Sequence, residues 1–157
     1  MTVTNAMRLL KQAGIGFDTS TYEVDESDLG GVHLAQVLGV DVDCVFKTLV
    51  TRSDKRNIYV FCIPAAQELD LKKCAAAVGE KKIEMTQVKE LLGLTGYIHG
   101  GCSPIGMKKF FRTTVHETAV LYDTIIFSGG KIGYQIELPL SDLEKVITLQ
   151  TADVVKE

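Results

Sequence analysis

The chain has 157 residues, 46% of them hydrophobic and 24% charged, with a formal net charge of −3 at pH 7. This length supports one substantial core and this balance fits a globular protein, while the negative charge excludes a protein that grips nucleic acid by bulk electrostatics, since that affinity comes from Lys and Arg displacing counterions. No apolar run approaches the roughly 20 residues of a membrane span, and Met1-Thr2-Val3-Thr4-Asn5 lacks the build of a signal peptide, so a single cytoplasmic domain over residues 1–157 is expected.

Thr4 can cap a helix whose Met7, Leu9, Leu10 and Ala13 form one apolar stripe, and Gly14 stops it. Phe17 to Val24 has strand character, Asp25 to Gly31 reads as a polar loop, and His33 to Leu38 before Gly39 as a short helix. His33 is equally a surface helix residue or a ligand contact. Cys44 to Arg52 reads as a strand with apolar residues on both faces, the pattern of burial on both sides. Lys47 then sits among core-type neighbours, where an ammonium is costly unless it reaches a partner or a pocket. Snorkelling to the sheet rim is the other reading, and the pattern leaves both open.

Residues 53–57 form a turn, and Ile58 to Ile63, closed by Pro64, returns as the second strand of a hairpin. Leu69 to Val78 is predicted helical with a Gly79 stop, Ile83 to Met85 briefly extended, and Thr86 to Leu92 a capped helix ending at Gly93. An extended Tyr97-Ile98-His99 leads into a glycine-rich loop. After Phe110-Phe111, Leu121 to Phe127 is a strand, residues 128–131 its turn, and Gly133 to Leu138 the return. Ser141 and Glu144 have capping-box spacing for a short helix through Ile147, and the residues after Ala152 read as a solvated tail. Two hairpins among irregularly ordered helices predict a mixed α/β (α+β) domain with a curved, largely antiparallel sheet and helices outside.

Cys44, Cys62, Cys74 and Cys102 are widely spaced without a C-x-x-C, as free thiols in a reducing compartment would be. With His33, His99 and His116 they offer no metal-ligand spacing, so no metal and no cofactor are expected. The glycine-rich stretch Thr95 to Lys109 is a tight connection or a ligand loop: Gly100 and Gly101 can present bare N–H groups to an anion, Pro104 fixes one bend and Gly106 permits another. Within it, Cys102 is either a thiol whose pKa neighbouring N–H groups lower or a small loop side chain. The basic doublets Lys72-Lys73, Lys81-Lys82 and Lys108-Lys109 with Arg112 are a phosphate-facing patch or solvated surface. No nucleophile elbow, P-loop, zinc helix or dinucleotide fingerprint is present.

Three stretches carry a resemblance: Val45-Phe46-Lys47-Thr48-Leu49, the loop Thr95-Gly96-Tyr97-Ile98-His99-Gly100-Gly101-Cys102-Ser103-Pro104-Ile105-Gly106-Met107-Lys108-Lys109, and Ser128-Gly129-Gly130-Lys131-Ile132-Gly133. In this order they resemble the signature segments of the Cys-tRNA(Pro) deacylase (YbaK/EbsC) family. Thr21-Tyr22-Glu23, residues 69–73 and Gln135-Ile136-Glu137-Leu138 extend the likeness over nearly the whole chain.

The resemblance implies a barrel-like mixed sheet flanked by helices and a trans-editing deacylase that clears cysteinyl-tRNA(Pro), and also cysteinyl-tRNA(Cys), beside prolyl-tRNA synthetase. The nucleophile it implies is the substrate's own thiol, which attacks the ester carbonyl, expels the tRNA 3′ end and leaves a thiolactone. A thiol with a pKa near 8.5 supplies thiolate at neutral pH where an alcohol supplies almost none. Carried over by motif position, Lys47, Gly100 and Gly101 are the catalytic set: Lys47 fixes the ester end or adjacent phosphate, and the loop N–H groups hold the terminal adenosine and the oxyanion. Tyr22, Thr48, Ser103, Pro104, Gly106, Ser128, Gly129 and Gln135 are substrate-binding, and Lys108, Lys109 and Arg112 guide the tRNA. Gln135 stands where family members carry Asp, which opens a second reading, an editing enzyme for alanine or another small residue. A third reading is a non-catalytic module that binds aminoacyl-tRNA or a synthetase.

Overall fold

The computed structural model describes residues 3–23 and 30–157. The expected loop from Asp25 to Gly31 falls mostly on residues 24–29, outside the described residues. Helix α1 (Asn5–Gln12) starts where the Thr4 hydroxyl accepts from the Met7 N–H at 3.2 Å, and it buries Ala6, Met7 and Leu10. Strand β1 (Asp18–Thr21) is shorter than predicted. Helix α2 (Gly31–Leu38) ends at Gly39 as expected. Cys44 belongs to a 3-10 turn over Val42–Cys44, so the long strand, β2, runs Phe46–Ser53.

Strand β3 (Ile58–Pro64) returns antiparallel to β2, with Lys47 opposite Ile63 and Thr48 opposite Cys62. Helix α3 (Leu71–Val78) is capped by the Asp70 carboxylate, which accepts from the Lys72 and Lys73 N–H groups. After the edge strand β4 (Ile83–Met85), the predicted helix is displaced: Gln87 and Glu90 form the capping box around a 3-10 turn (Val88–Glu90), and α4 (Leu91–Thr95) runs through Gly93 to stop at Gly96. Burial of the Thr95 side chain, whose hydroxyl donates to the Leu91 carbonyl at 2.8 Å, outweighs the local stop signal of Gly93.

Two strands were missed. Arg112–His116 forms β5, and Leu149–Ala152 a further strand at the end of the chain; both are short, and parallel pairing buries β5 between its neighbours, where no alternation shows. Between them, residues 117–121 are a 3-10 helix, so β6 is only Ile125–Ser128; β7 (Tyr134–Leu138) pairs with it as predicted. Helix α5 (Leu140–Leu143) starts at Pro139, with no side-chain cap from Ser141. The last strand is β8. The tail is anchored rather than free, although Asp153, Lys156 and Glu157 are exposed: Val154 is fully buried, and its carbonyl accepts from the Asp70 N–H at 2.9 Å.

One sheet has the order β1-β7-β6 and the other β4-β2-β3-β5-β8, with four antiparallel and two parallel pairings. A parallel bridge from Val45 to Ile126 joins them. The result is the expected mixed, largely antiparallel, barrel-like sheet with helices outside. The main core contains Met7 and Leu10 of α1, Phe46 and Val50 of β2, Phe127 of β6 and Ile136 of β7, while α3 and Val154 cover the other face of β3 through Phe61 and Ile63. The junction of the two sheets is thus where β2, β6 and β7 present residues to one space. Among the described residues no helix is long and apolar enough to cross a membrane.

Candidate active site

That junction contains a cavity of about 430 Å³. It runs alongside β2 from Val45 to Val50, and its wall includes Tyr22, Lys47, Thr48, Gly100, Ser128 and Gln135. Six positions expected at a site, far apart in sequence, therefore face one space. Lys47 and Thr48 come from the antiparallel β2–β3 pair, and Ser128 lies directly opposite Gln135 across β6 and β7. Tyr22 follows β1 and is held by its N–H to the Gly133 carbonyl at 3.1 Å.

Burial lowers the Lys47 pKa from the ordinary lysine value, and the field of Glu68 only partly opposes this. Among the described residues no carboxylate lies within ion-pair distance of its ammonium. A half-buried cation that lines a cavity and has no ion-pair partner among the described residues suits an anion or a carbonyl that gathers negative charge. Gln135 is 5% exposed and Ser128 half-buried, with the Ser128 Oγ accepting from the Gly130 N–H at 3.1 Å. Thr48 Oγ1 lies 3.7 Å from Cys62 Sγ. Burial raises the Tyr22 phenol, pushes Cys62 up to about 12 and Cys102 up to about 11. Desolvation therefore overrides any N–H stabilisation of a Cys102 thiolate, and the thiol is a neutral wall group at neutral pH.

The glycine loop divides into two functions. Gly100, at a φ of 86° that glycine adopts without strain, lines the cavity. The Gly101 N–H is instead spent on the Ile98 carbonyl at 3.0 Å, and a Cβ at Gly101 would stand 3.1 Å from the Ile132 nitrogen. Gly101 thus lets the loop approach the 131–132 turn, and its expected role as an oxyanion donor is replaced by a packing role. The segment before it is not a strand; Tyr97 follows Gly96, the C-cap of α4.

Ser103, Pro104 and Gly106 do not line the cavity. Ser103 is fully buried with its Oγ accepting from the Ile105 N–H at 3.3 Å, Pro104 is buried beside it, and the Tyr97 hydroxyl donates to the Ile105 carbonyl at 2.6 Å. A Cβ at Gly106 would come within 2.8 Å of Asn5 Nδ2 and 2.9 Å of the Tyr97 hydroxyl. This half of the loop is folded onto α1, which positions Gly100 but offers no surface to a ligand. Gly129 is likewise a packing residue: its N–H donates to the Tyr134 carbonyl at 2.9 Å, and an added Cβ would meet the Met7 Cε at 3.1 Å.

Lys108, Lys109 and Arg112 are exposed and lie outside the cavity wall. Arg112 donates to the Val78 carbonyl at the end of α3 at 3.3 Å and to Gln150 Oε1 at 3.4 Å, so its guanidinium is engaged in the fold. The sequence reading missed His99, Phe46 and Val50 of the wall, and a lip made by Met85, Val88 and Leu91. The apolar members resemble core residues in any local pattern; only the gap between the sheets turns them into a wall. Among the described residues no group of three or more His, Cys, Asp and Glu is placed to hold a metal ion.

The aminoacyl-tRNA editing domain model matches residues 32–146 of the chain. A protein of Enterococcus faecalis (strain ATCC 700802 / V583) named "Putative Cys-tRNA(Pro)/Cys-tRNA(Cys) deacylase EbsC" is 45% identical over 151 residues, covering 96% of this chain and 92% of its own. Among solved structures, one described as "a putative trans-editing enzyme for prolyl tRNA synthetase" has a TM-score of 0.84 at 24% identity over 98% of this chain and 96% of its own. The hypothetical protein APE2540 has a TM-score of 0.88 at 20% identity over 98% of this chain and 100% of its own. At such identities the solved structures carry the fold alone.

Proposed function

The chain belongs to the aminoacyl-tRNA editing domain family, and from that premise we propose that it is a trans-editing deacylase that clears cysteinyl-tRNA(Pro), and also cysteinyl-tRNA(Cys), in the cytoplasm. The observation that carries this reading is the chemistry of the cavity wall. It holds a half-buried lysine whose pKa burial lowers, and its thiol, Cys102, is pushed up to about 11 and stays protonated at neutral pH. Such a site stabilises charge and supplies no sulfur nucleophile of its own. A cysteinyl ester brings one with it.

In this mechanism the substrate thiolate attacks its own ester carbonyl, the C–O bond to the ribose breaks, and the ribose oxygen leaves as a hydroxyl on taking up the thiol's proton. The products are the free tRNA 3′ end and a cysteine thiolactone. Lys47 supports the carbonyl oxygen as it becomes an oxyanion, joined by the Gly100 N–H, a type of stabilisation that acts only as charge develops. Tyr22, Thr48, Ser128 and Gln135 bound the acyl group. Gln135 offers both a donor and an acceptor to the substrate's amino group without adding a charge beside Lys47. Capture of the tRNA rests on prolyl-tRNA synthetase, because a chain of net charge −3 with few basic doublets neutralises few phosphates.

The test is deacylation of cysteinyl-, alanyl- and seryl-tRNA(Pro), with the released product identified by mass spectrometry. Cysteinyl-tRNA is cleaved fastest and yields thiolactone. Preferential release of alanine would replace this reading with water attack on a small acyl ester, and no turnover of any ester would leave a binding module.

A further inference from the structure

The cavity changes character along its length. At the Lys47 end its wall is polar, with Tyr22, Ser128 and Gln135; at the Val50 end it is bordered by Met85, Val88 and Leu91, of which Met85 is 45% and Val88 60% exposed to solvent. Met85 ends the edge strand β4, whose pairing with β2 places it opposite Thr51, and the Thr86 N–H holds the segment to the Val50 carbonyl at 3.2 Å. Val88 follows on the capped turn between Gln87 and Glu90, and Leu91 is the first residue of α4. The lip is thus fixed by backbone pairing and a cap. Two large apolar side chains are nevertheless left open to solvent at the mouth of a cavity, where burying them would be favourable.

From this polarity, and resting on the deacylase reading above, we propose that the Met85–Val88–Leu91 lip, and not the glycine loop to which the resemblance gave the terminal adenosine, is the binding platform for the terminal adenine base of the tRNA substrate. From Lys47 to Val50 the strand advances three residues, or about 10 Å. That length accommodates an ester carbonyl at Lys47 and, through one ribose, a planar base at the lip. Whatever enters the polar end through this mouth must leave its next moiety against Met85 and Val88. For an aminoacyl ester of tRNA that moiety is the adenosine. The base is flat with apolar faces, and a methionine thioether adapts to such a face through its rotatable bonds and polarizable sulfur. Thr86 also lines the cavity here, but its hydroxyl donates to the Val50 carbonyl at 2.9 Å, so the lip holds the base mainly by apolar surface contact; specificity for the acyl group stays at the polar end.

Two measurements test this. On wild-type protein labelled at methionine methyls, added adenosine should move the Met85 methyl resonance upfield by ring current while the resonances of Met7 and Met107 stay in place. No movement of Met85 at saturating adenosine would overturn the assignment. In the second, kcat/KM is measured for 3′-O-cysteinyl-adenosine and for cysteine methyl ester. The ratio of the two should fall roughly tenfold in Met85→Ala/Val88→Ser and be held in Met85→Phe, which keeps an apolar face. An unchanged ratio, with both esters still cleaved, overturns the lip assignment and leaves the deacylase reading standing. If the double variant instead alters the choice between cysteinyl and alanyl esters, the substrate lies the other way round and the lip holds the acyl group. If it loses only binding to prolyl-tRNA synthetase, the lip is a protein-docking surface. Failure of wild type to cleave either ester sinks the deacylase reading itself.

Discussion

Two cavities of similar volume, about 430 and 460 Å³, differ in what their charges are doing. The second lies between the C-terminal segment and residues 116–122, and its wall includes Lys73, His116, Asp153 and Lys156. There both lysines are paired: Lys73 Nζ sits 2.9 Å from Asp153 Oδ2 and 2.9 Å from the Val155 carbonyl, and Lys156 Nζ 3.3 Å from Glu68 Oε2. His116 Nδ1 accepts from the buried Val154 N–H at 3.3 Å. In the first cavity no carboxylate among the described residues lies within ion-pair distance of Lys47, which feels the field of Glu68. A charge already paired within the fold fastens one segment to another, whereas a desolvated charge without a fixed partner stores an interaction for a ligand. Volume alone would have ranked the two cavities together.

The sharpest break in that comparison is Lys47→Met. If Lys47 serves the ligand and not the fold, deacylation falls by roughly 10²–10³-fold, the size expected for losing one charge-stabilising group. Because burial disfavours its charged form, the folded state carries a penalty at neutral pH that the variant removes. Its thermal midpoint therefore stays equal or rises. An unfolded variant, or one with full activity, would assign Lys47 to the framework.

Next in size is the dependence on substrate sulfur. Seryl-tRNA(Pro) should turn over at least about 10²-fold more slowly than cysteinyl-tRNA(Pro), since its hydroxyl ionises far less readily. Cys102→Ala should keep substantial activity, because its thiol is pushed up to about 11 and is neutral in the working range. Inactive but folded Cys102→Ala would turn the first cavity into an enzyme-thiol site.

The second cavity is probed through His116. Burial lowers its pKa, against the raising fields of Asp153 and Glu117, and Lys73 lowers it further. In the unfolded chain the imidazole binds a proton near 6.5, while the folded state resists protonation and needs Nδ1 as an acceptor. Folding stability is thus fully present above about pH 6.5 and declines as pH falls through the folded-state pKa. His116→Gln, which does not titrate, should flatten the urea midpoint between pH 7 and 5. His116→Ala, which leaves the Val154 N–H without its acceptor, should cost about 1–3 kcal/mol at pH 7 and leave kcat/KM for cysteinyl-tRNA unchanged. A loss of turnover would couple the two cavities.

The smallest effect concerns the basic residues outside both cavities. Lys108→Glu/Lys109→Glu should lower the log–log salt slope of tRNA binding by roughly 1.4 if each lysine meets one phosphate of the single-stranded end. The isolated protein should bind tRNA weakly at physiological salt and more tightly with prolyl-tRNA synthetase. Tight binding by the protein alone, indifferent to the charge reversal, would remove both the patch and the need for the partner.

Much of this molecule was legible before folding was considered. Thr4 and Gly39 punctuate helices as their side chains dictate, the β2–β3 and β6–β7 hairpins follow from apolar runs separated by turn residues, and Lys47 stood out because a lysine in a two-faced apolar strand needs a reason. Family resemblance added Tyr22, Thr48, Gly100, Ser128 and Gln135, all of which line the first cavity. Strands β5 and β8 stayed hidden because parallel pairing is a long-range event that leaves no alternating pattern. The tail beyond Ala152 read as solvated because nothing local says that Val154 fills the space against α3 and that His116 will accept its N–H.

Local chemistry determined which residues could bend, cap, pair or resist burial, because those properties belong to a residue and its near neighbours. Only the tertiary structure decided which glycines line the cavity and which meet another backbone. Gly100 lines the cavity while Gly101, one peptide away, donates to Ile98 and lies against Ile132. It also decided that Ser103 and Pro104 are buried within the loop, that Gly106 lies against Asn5 of α1, and that Met85 and Val88 border a cavity rather than a core. Each of those outcomes depends on which surfaces two separate sheets bring together, and that is set by the sum of the packing, not by any single stretch of chain.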